Sequence, residues 1–155
     1  MYICSRETGE PDHKKKSLNL EIMKKKNLID EARRYVENAR EALAEKGEYN
    51  PQTNRYEDPK YVRAAGHYLW HGVLMALDAV FQIRKDRRTR INFDDYQSVV
   101  ATCDLKLLDK VNDGYNILHL NMGYDGIQDK RVCDLGFRIT NEIIDRCATM
   151  VPKVA

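Results

Sequence analysis

The sequence predicts an all-α fold, an antiparallel up-and-down bundle of four to five helices, and three observations lead to this class. Apolar residues recur at steps of three and four along most of the chain, which is the period of one helix face. No segment shows the strict alternation of apolar and polar residues that a half-buried strand requires. Residues that start and stop helices divide the periodic segments into lengths that short loops can join. Helices with one apolar stripe bury it most simply against one another.

The N-terminal segment differs from the rest of the 155-residue chain. Residues 1–24 contain Gly9, Pro11 and a lysine triplet at 14–16, with little apolar periodicity. We therefore expect a flexible N-terminal tail over 1–24 and a single helical domain over 25–152. Met23 would also serve as a start, so whether residues 1–22 belong to the native protein stays open.

The first predicted helix covers residues 28–46 and ends at Gly47, a residue type that often follows the last helical turn. A polar loop over 48–58 follows it. The second helix opens at Asp58 and Pro59, because an aspartate can cap free N–H groups and proline is tolerated in the first turn. It continues to about residue 83 and is apolar on nearly all sides, which is typical of a central helix.

Three further helices are predicted after a basic loop at 84–91. Asn92 precedes a short helix over 93–102, and Asp104 caps a longer one over 105–123. The last helix runs over 130–150 and ends before Pro152.

Composition excludes several classes of protein. The net charge of +2 does not by itself indicate a polyanion-binding protein. No apolar run approaches the roughly 20 residues that span a bilayer, and no secretory signal is present, so we expect a cytoplasmic protein without membrane contact. Its four cysteines form no C-x-x-C pair, and we interpret them as free thiols.

Two helical segments carry a resemblance to a known family. Residues 32–43, ARRYVENAREAL, and residues 61–77, YVRAAGHYLWHGVLMAL, resemble the first two helices of HEPN-type bundles. This resemblance implies a five-helix fold over 28–150. Many HEPN domains are metal-independent ribonucleases, whereas others bind nucleotides or only dimerise.

The nuclease members of that family place four to six residues between an arginine and a histidine on a late helix. This chain departs from the pattern, since three residues separate Arg63 from His67 and seven separate Arg63 from His71. His119 has no arginine at the required distance. A catalytic role for these residues is therefore a secondary hypothesis, and a bundle of an uncharacterised bacterial branch without the motif is the primary one.

His67 and His71 are also the candidate metal ligands. Two imidazoles four residues apart lie on one helix face and can chelate a divalent ion. The glutamate of an H-E-x-x-H motif is missing between them. Histidines that form hydrogen bonds within or beside the core explain the same spacing, so we expect no metal and no cofactor.

Asp78 lies in an apolar stretch, where a carboxylate needs a partner or a raised pKa. His119 on the fourth helix is a candidate partner, with Tyr115 one turn before it. A network of Asp78, His119 and Tyr115 would be either a site or a structural polar cluster, and we favour the structural role.

A basic run follows the second helix and could hold phosphate groups of a nucleotide or an RNA. No aromatic residue is interleaved for base stacking, so a solvated loop is the favoured alternative. The run consists of Arg84, Lys85, Arg87, Arg88 and Arg90.

These observations favour a non-catalytic binding or dimerisation module. Its partner would be a second copy bound through the second or the last helix, another protein, or a nucleotide or RNA phosphate. A diverged HEPN-type ribonuclease and a structural subunit of a larger assembly are the alternatives.

Overall fold

The computed structural model describes residues 10–84 and 90–154. The described chain is helical except for one small hairpin and the connecting loops, which confirms the all-α class. Side chains from Ile29 to Cys147 share one apolar core. No helix in this part of the chain is long and apolar enough to cross a membrane.

Helix α1 is longer than predicted, because it spans Glu10–Lys46. The expected tail over 1–24 is therefore wrong from residue 10 onward, and residues 1–9 lie outside the described part. No glycine interrupts residues 10–46, and lysine, leucine and glutamate are strong helix formers, so the helix extends past the end of the core stripe. The predicted end before Gly47 is confirmed, although the left-handed residue after the helix is Glu48, with φ of 54°.

The loop after α1 contains a hairpin that the sequence did not predict. Strand β1, Tyr49–Asn50, pairs antiparallel with β2, Arg55–Tyr56. Strands of two residues are too short to produce an alternating pattern, so periodicity could not reveal them.

Helix α2 spans Pro59–Phe81 and lies at the centre of the core. The side chain of Asp58 accepts a hydrogen bond of 3.0 Å from the Lys60 N–H, as its capping role requires. The helix ends at Gln82, whose left-handed backbone has φ of 51°. Its apolar residues are buried around much of the circumference, as predicted for a central helix.

Helix α3 spans Phe93–Cys103 and helix α4 spans Leu105–Gly114. Asp104 caps α4 by accepting from the Leu107 N–H at 3.0 Å. The segment Tyr115–Tyr124 continues α4 as a π-helix, where a single α-helix over 105–123 was expected. Hydrogen bonds in a π-helix join residues five apart, and the last of them runs from the Asp125 N–H to the Leu120 carbonyl at 2.8 Å. We call residues 115–124 the π segment.

Helix α5 spans Lys130–Met150, and Asp129 caps it by accepting from the Arg131 N–H at 2.8 Å. The π segment and α5 both pack on α2. The π segment runs opposite to α2, since Arg63 meets its end and Trp70 meets its beginning. Helix α2 and the π segment come close together at Gly66, where a Cβ atom would lie only 2.6 Å from the Gly123 nitrogen.

Candidate functional site

The residues that the sequence singled out on α2 form one solvent-facing row. Arg63, His67 and His71 succeed one another at four-residue steps, and all three are exposed. The row lies between two neighbours, the π segment on one side and α1 on the other. These neighbours decide what each side chain can do.

Arg63 holds the end of the π segment. Its Nε donates to the Tyr124 carbonyl at 3.2 Å, and its second amino group donates to the Asp125 carbonyl at 3.5 Å. Gly126, with φ of 66°, lies against the guanidinium, and a Cβ there would be 3.0 Å from Nε. The guanidinium is thus engaged in positioning the backbone turn after the π segment.

His67 and His119 are neighbours. The His67 ring lies against Gly123 of the π segment, where a Cβ would be 3.3 Å from its Cε1. Burial lowers the pKa of His119, and the nearby charge of His67 lowers it further. Nδ1 of His119 is buried and has no hydrogen-bond partner among the residues that the structure describes. His119 is therefore a neutral imidazole at physiological pH, and its protonation is costly.

An aromatic cluster surrounds His119. Trp70 contacts the rings of Phe93 and Tyr115 edge-on at 5.4 Å and 5.7 Å between centroids. Phe93 and Tyr115 stack with their planes 7° apart and their centroids at 4.3 Å. The His119 ring lies 5.1 Å from Tyr115. This packing joins α2, α3 and the π segment.

His71 faces the opposite neighbour, since its ring lies 4.8 Å from that of Tyr35 on α1. Tyr35 also contacts Tyr68 at 6.3 Å. His67 and His71 thus approach different elements, in spite of their four-residue spacing. No group of three or more metal-ligating residues occurs in the described ranges 10–84 and 90–154.

The predicted pairing of Asp78 with His119 and Tyr115 is wrong. Asp78 accepts from the Tyr96 hydroxyl at 3.1 Å and from the Arg84 backbone N–H at 3.2 Å. Burial raises the pKa of Asp78. Burial and the negative charge of Asp78 both raise the pKa of Tyr96. This pair fixes α3 and the chain after α2, so it has a structural role.

The basic run lies only partly within the described chain. Arg84 and Arg90 are exposed, whereas Lys85, Arg87 and Arg88 lie outside the described residues.

Two of the cysteines are unsuited to nucleophilic chemistry. Burial raises the pKa of Cys133 and of Cys147 to about 12, so both thiols stay protonated at neutral pH. Cys103 is exposed at the end of α3, and Cys4 lies outside the described residues.

The sequence analysis missed one property of this site that was nevertheless visible in the sequence. Residues 64–77 of α2 and residues 114–124, which include the whole π segment, contain no Asp, Glu, Lys or Arg, in a chain with 32% charged residues. Each segment by itself looks like core. Only their contact shows that the two uncharged segments adjoin one another and share an exposed surface.

The comparisons with known proteins concern the same part of the chain. A family model described as a domain of unknown function (DUF5618) matches residues 27–149. A solved structure of a protein of unknown function from Dyadobacter fermentans is 37% identical, with a TM-score of 0.73. The match covers 83% of this chain and 98% of that chain. No curated protein matches.

Proposed function

The chain belongs to the DUF5618 family, and from this premise we propose that it is a non-catalytic, HEPN-like helical bundle that binds a partner through one uncharged face, with a second copy of the chain as that partner. We define the uncharged face as the solvent-facing side chains of residues 64–77 and 114–124. The absence of charge from this exposed surface carries the proposal.

Exposed helix faces that contact only water usually carry charged side chains. The uncharged face instead presents His67, Tyr68 and His71, all exposed, and Tyr68 retains 37% of its accessible surface. Tyr35 extends the aromatic surface onto α1. Depletion of charge with enrichment of aromatic residues is the composition of an interface centre.

Charged residues border the face at its two ends. Arg63 lies at one end, beside Asp125, and exposed Asp113 precedes the π segment at the other. A twofold axis through the middle of the face would bring Arg63 of one copy, which keeps its charge while it donates to the turn, toward Asp113 of its partner. Opposite charges at the rim would then fix the register of an uncharged centre. This complementarity favours a second copy over an unrelated partner.

The engagement of Arg63 supports a non-catalytic role. A nuclease of the HEPN type needs a free cation beside its histidine to stabilise charge on the phosphate. Here the guanidinium donates to two backbone carbonyls, and the arginine-to-histidine spacing departs from the family pattern.

The test is the dimer dissociation constant of wild type and of Tyr68→Glu, measured by sedimentation equilibrium. Placing a carboxylate on the uncharged face of both copies should raise the constant at least tenfold, or about 1.4 kcal/mol. Ala44→Glu on exposed α1 adds the same charge outside the face and should leave the constant unchanged. A wild type that stays monomeric at about 100 µM would contradict the homodimer and favour a different protein partner or a larger assembly.

A diverged ribonuclease is the second candidate, because His67 and His119 lie together and His119 is a neutral base. Wild-type protein would then cleave a labelled RNA, and His119→Ala would abolish cleavage. The absence of cleavage by metal-free wild type would exclude this candidate.

Phosphate binding by the basic run is a further variant of the proposal, supported only by exposed Arg84 and Arg90. Arg84→Glu with Arg90→Glu should then abolish ATP binding in isothermal titration. A cytoplasmic location stays a prediction.

A further inference from the structure

The described beginning of α1 is an extended basic helix. Lysines occupy positions 14–16 and again 24–26, against the acids Asp12 and Glu21. Nearly all side chains from residue 12 to residue 26 are exposed or partly exposed, and Ile22 is the buried exception. We call residues 12–26 the basic arm. It precedes residue 27, where the family match begins.

The lysines surround the arm instead of lining one side. Successive helical residues are about 100° apart, so Lys14, Lys15 and Lys16 together cover more than half of the circumference. The two triplets lie ten residues apart, which is about 15 Å along the axis. Among the residues that the structure describes, the only ion pair on the arm joins Lys16 to Asp12. Both side chains are more than 70% exposed (74% and 72%), so the pair neutralises little charge.

The positive surface continues where the arm joins the domain. Three cations and one acid line a cleft of about 430 Å³ between α1 and the C-terminal segment, and they are Lys26, Arg33, Lys153 and Asp30. Arg33 pairs with Asp145 at 2.9 Å, whereas Lys26 and Lys153 form no ion pair among the described residues.

Apolar residues on the arm do not form a membrane-binding stripe. Leu18 and Leu20 are each 55% exposed, and Met23 is 53% exposed. At 100° per residue, Leu18 and Leu20 lie on nearly opposite sides of the helix. A helix that lies on a bilayer needs its apolar residues on one side and its lysines on the other.

We infer that the basic arm binds the phosphate backbone of a nucleic-acid duplex by lying in its major groove. An α-helix is about as wide as the major groove of B-DNA, roughly 12 Å. Phosphates border such a groove on both sides, so lysines that surround the helix can meet both rows. The arm has no arginine, and its one asparagine, Asn19, is partly buried and lies between the two lysine triplets. Contacts made mainly by lysine give binding that depends on salt and little on sequence.

The experiment measures fluorescence anisotropy of a labelled B-DNA duplex of about 20 base pairs with full-length protein between about 50 and 200 mM salt. Each neutralised phosphate contributes about −0.9 to the slope of log K against log salt. Lys14→Glu, Lys15→Glu and Lys16→Glu together should weaken binding at least 100-fold at low salt and flatten the slope by about 2 to 3. Replacing the same three lysines by arginine should preserve binding.

The matched control is Lys46→Glu, Lys60→Glu and Lys106→Glu, three exposed lysines outside the arm. This variant has the same net charge as the arm variant and should lose much less affinity. An equal loss in both variants would show that overall charge, and not the arm, binds the duplex. Circular dichroism establishes that the arm variant keeps its helix content.

Three other outcomes would overturn the inference. They are the absence of duplex binding at low salt, tighter binding of a single-stranded RNA of equal length than of the duplex, and binding of phosphatidylserine vesicles without binding of the duplex. None of them bears on the dimer, so the inference and the proposed function can fail separately.

Discussion

Helices α2 and α5 differ on their outward sides although both contribute to the same core. The outward side of α5 is charged, and its residues pair with Arg33 of α1, Lys110 of α4 and Asp104, the residue that caps α4. The outward side of α2 has no charged residue over 64–77. The exposed charged residues of α5 are Arg131, Asp134, Arg138, Glu142, Asp145 and Arg146.

This difference teaches that the fold determines which residues occupy the inner side of a helix but not which residues occupy its outer side. Both helices satisfy the fold by burying a stripe, Leu69 and Leu77 from α2 and Ile143 and Ile144 from α5. Nothing in that requirement excludes charge from the outer side of α2. The fold alone therefore does not explain the uncharged face, whereas the proposed binding function would explain it.

The largest expected effect is a loss of stability when a glycine on the inner side of α2 is replaced, compared with a glycine on the inner side of α5. In Gly66→Ala, the new methyl would lie 2.6 Å from the Gly123 nitrogen and 2.7 Å from the Leu118 carbonyl oxygen. Backbone atoms cannot move aside, so we expect a loss of about 1–3 kcal/mol in the free energy of unfolding.

Gly136→Ala on α5 is the matched change. Its methyl would meet the Met122 Sδ at 2.7 Å, at the flexible end of a side chain. We expect it to cost less than about 1 kcal/mol, because alanine also favours the helix. Urea denaturation measures both, and equal costs would contradict the rigid contact at Gly66.

The next effect concerns the carboxylate that ends the uncharged stretch of α2. Tyr96→Phe removes the hydroxyl that donates to Asp78 at 3.1 Å, and we expect a loss of about 1–2 kcal/mol, because Asp78 keeps the hydrogen bond from the Arg84 N–H. Asp145→Asn on α5 breaks the pair with Arg33, both partners being largely exposed, and should cost less than about 1 kcal/mol. A smaller cost for Tyr96→Phe than for Asp145→Asn would show that Asp78 is solvated.

His119, in the π segment, should make the stability of the protein depend on pH. Its pKa is lowered in the folded state, so its contribution to stability is present above the ordinary value of 6.5 and is lost as the pH falls through the lowered pKa. His119→Gln should remove this loss, whereas His71→Gln, at an exposed site, should retain it. Thermal unfolding between pH 7 and pH 5 measures the difference, and a His119 ring titrating above 6.5 in an NMR experiment would contradict it.

The smallest effect is expected on the outer side of α5. Glu142→Gln breaks the ion pair with Lys110, where both side chains are about half exposed, so we expect a loss of at most about 0.5 kcal/mol. Denaturation in low and high salt should give nearly the same small difference. A loss above about 1 kcal/mol in the free energy of unfolding would show that the charged side of α5 also stabilises the fold.

Periodicity located the helices well where one apolar face repeats against a core. Along α1, Ala32, Ala39 and Leu43 recur with the period of one helix face, and all three are buried. Capping residues located the starts of α2, α3 and α4 for the same local reason. Periodicity failed at residues 10–27 of α1, because a helix beyond the core need not have a stripe.

The candidate site was predictable only in its parts. Arg63, His67, His71 and His119 were identified by residue type and spacing. Spacing could not show that Arg63 holds a backbone turn or that His71 faces Tyr35, since both contacts join segments distant in the sequence. Tyr96 was missed as the partner of Asp78 for the same reason.

The sequence by itself determined the helical class, most helix ends and the absence of charge from two segments, because these depend on local pattern and composition. Only the tertiary structure decided that the two uncharged segments lie side by side. It also decided that His119 is without a partner for Nδ1 among the described residues, and that residues 115–124 form a π-helix. These features depend on contacts between segments distant in the sequence, such as the close approach of α2 to the π segment at Gly66, and such atoms come together only when the chain folds.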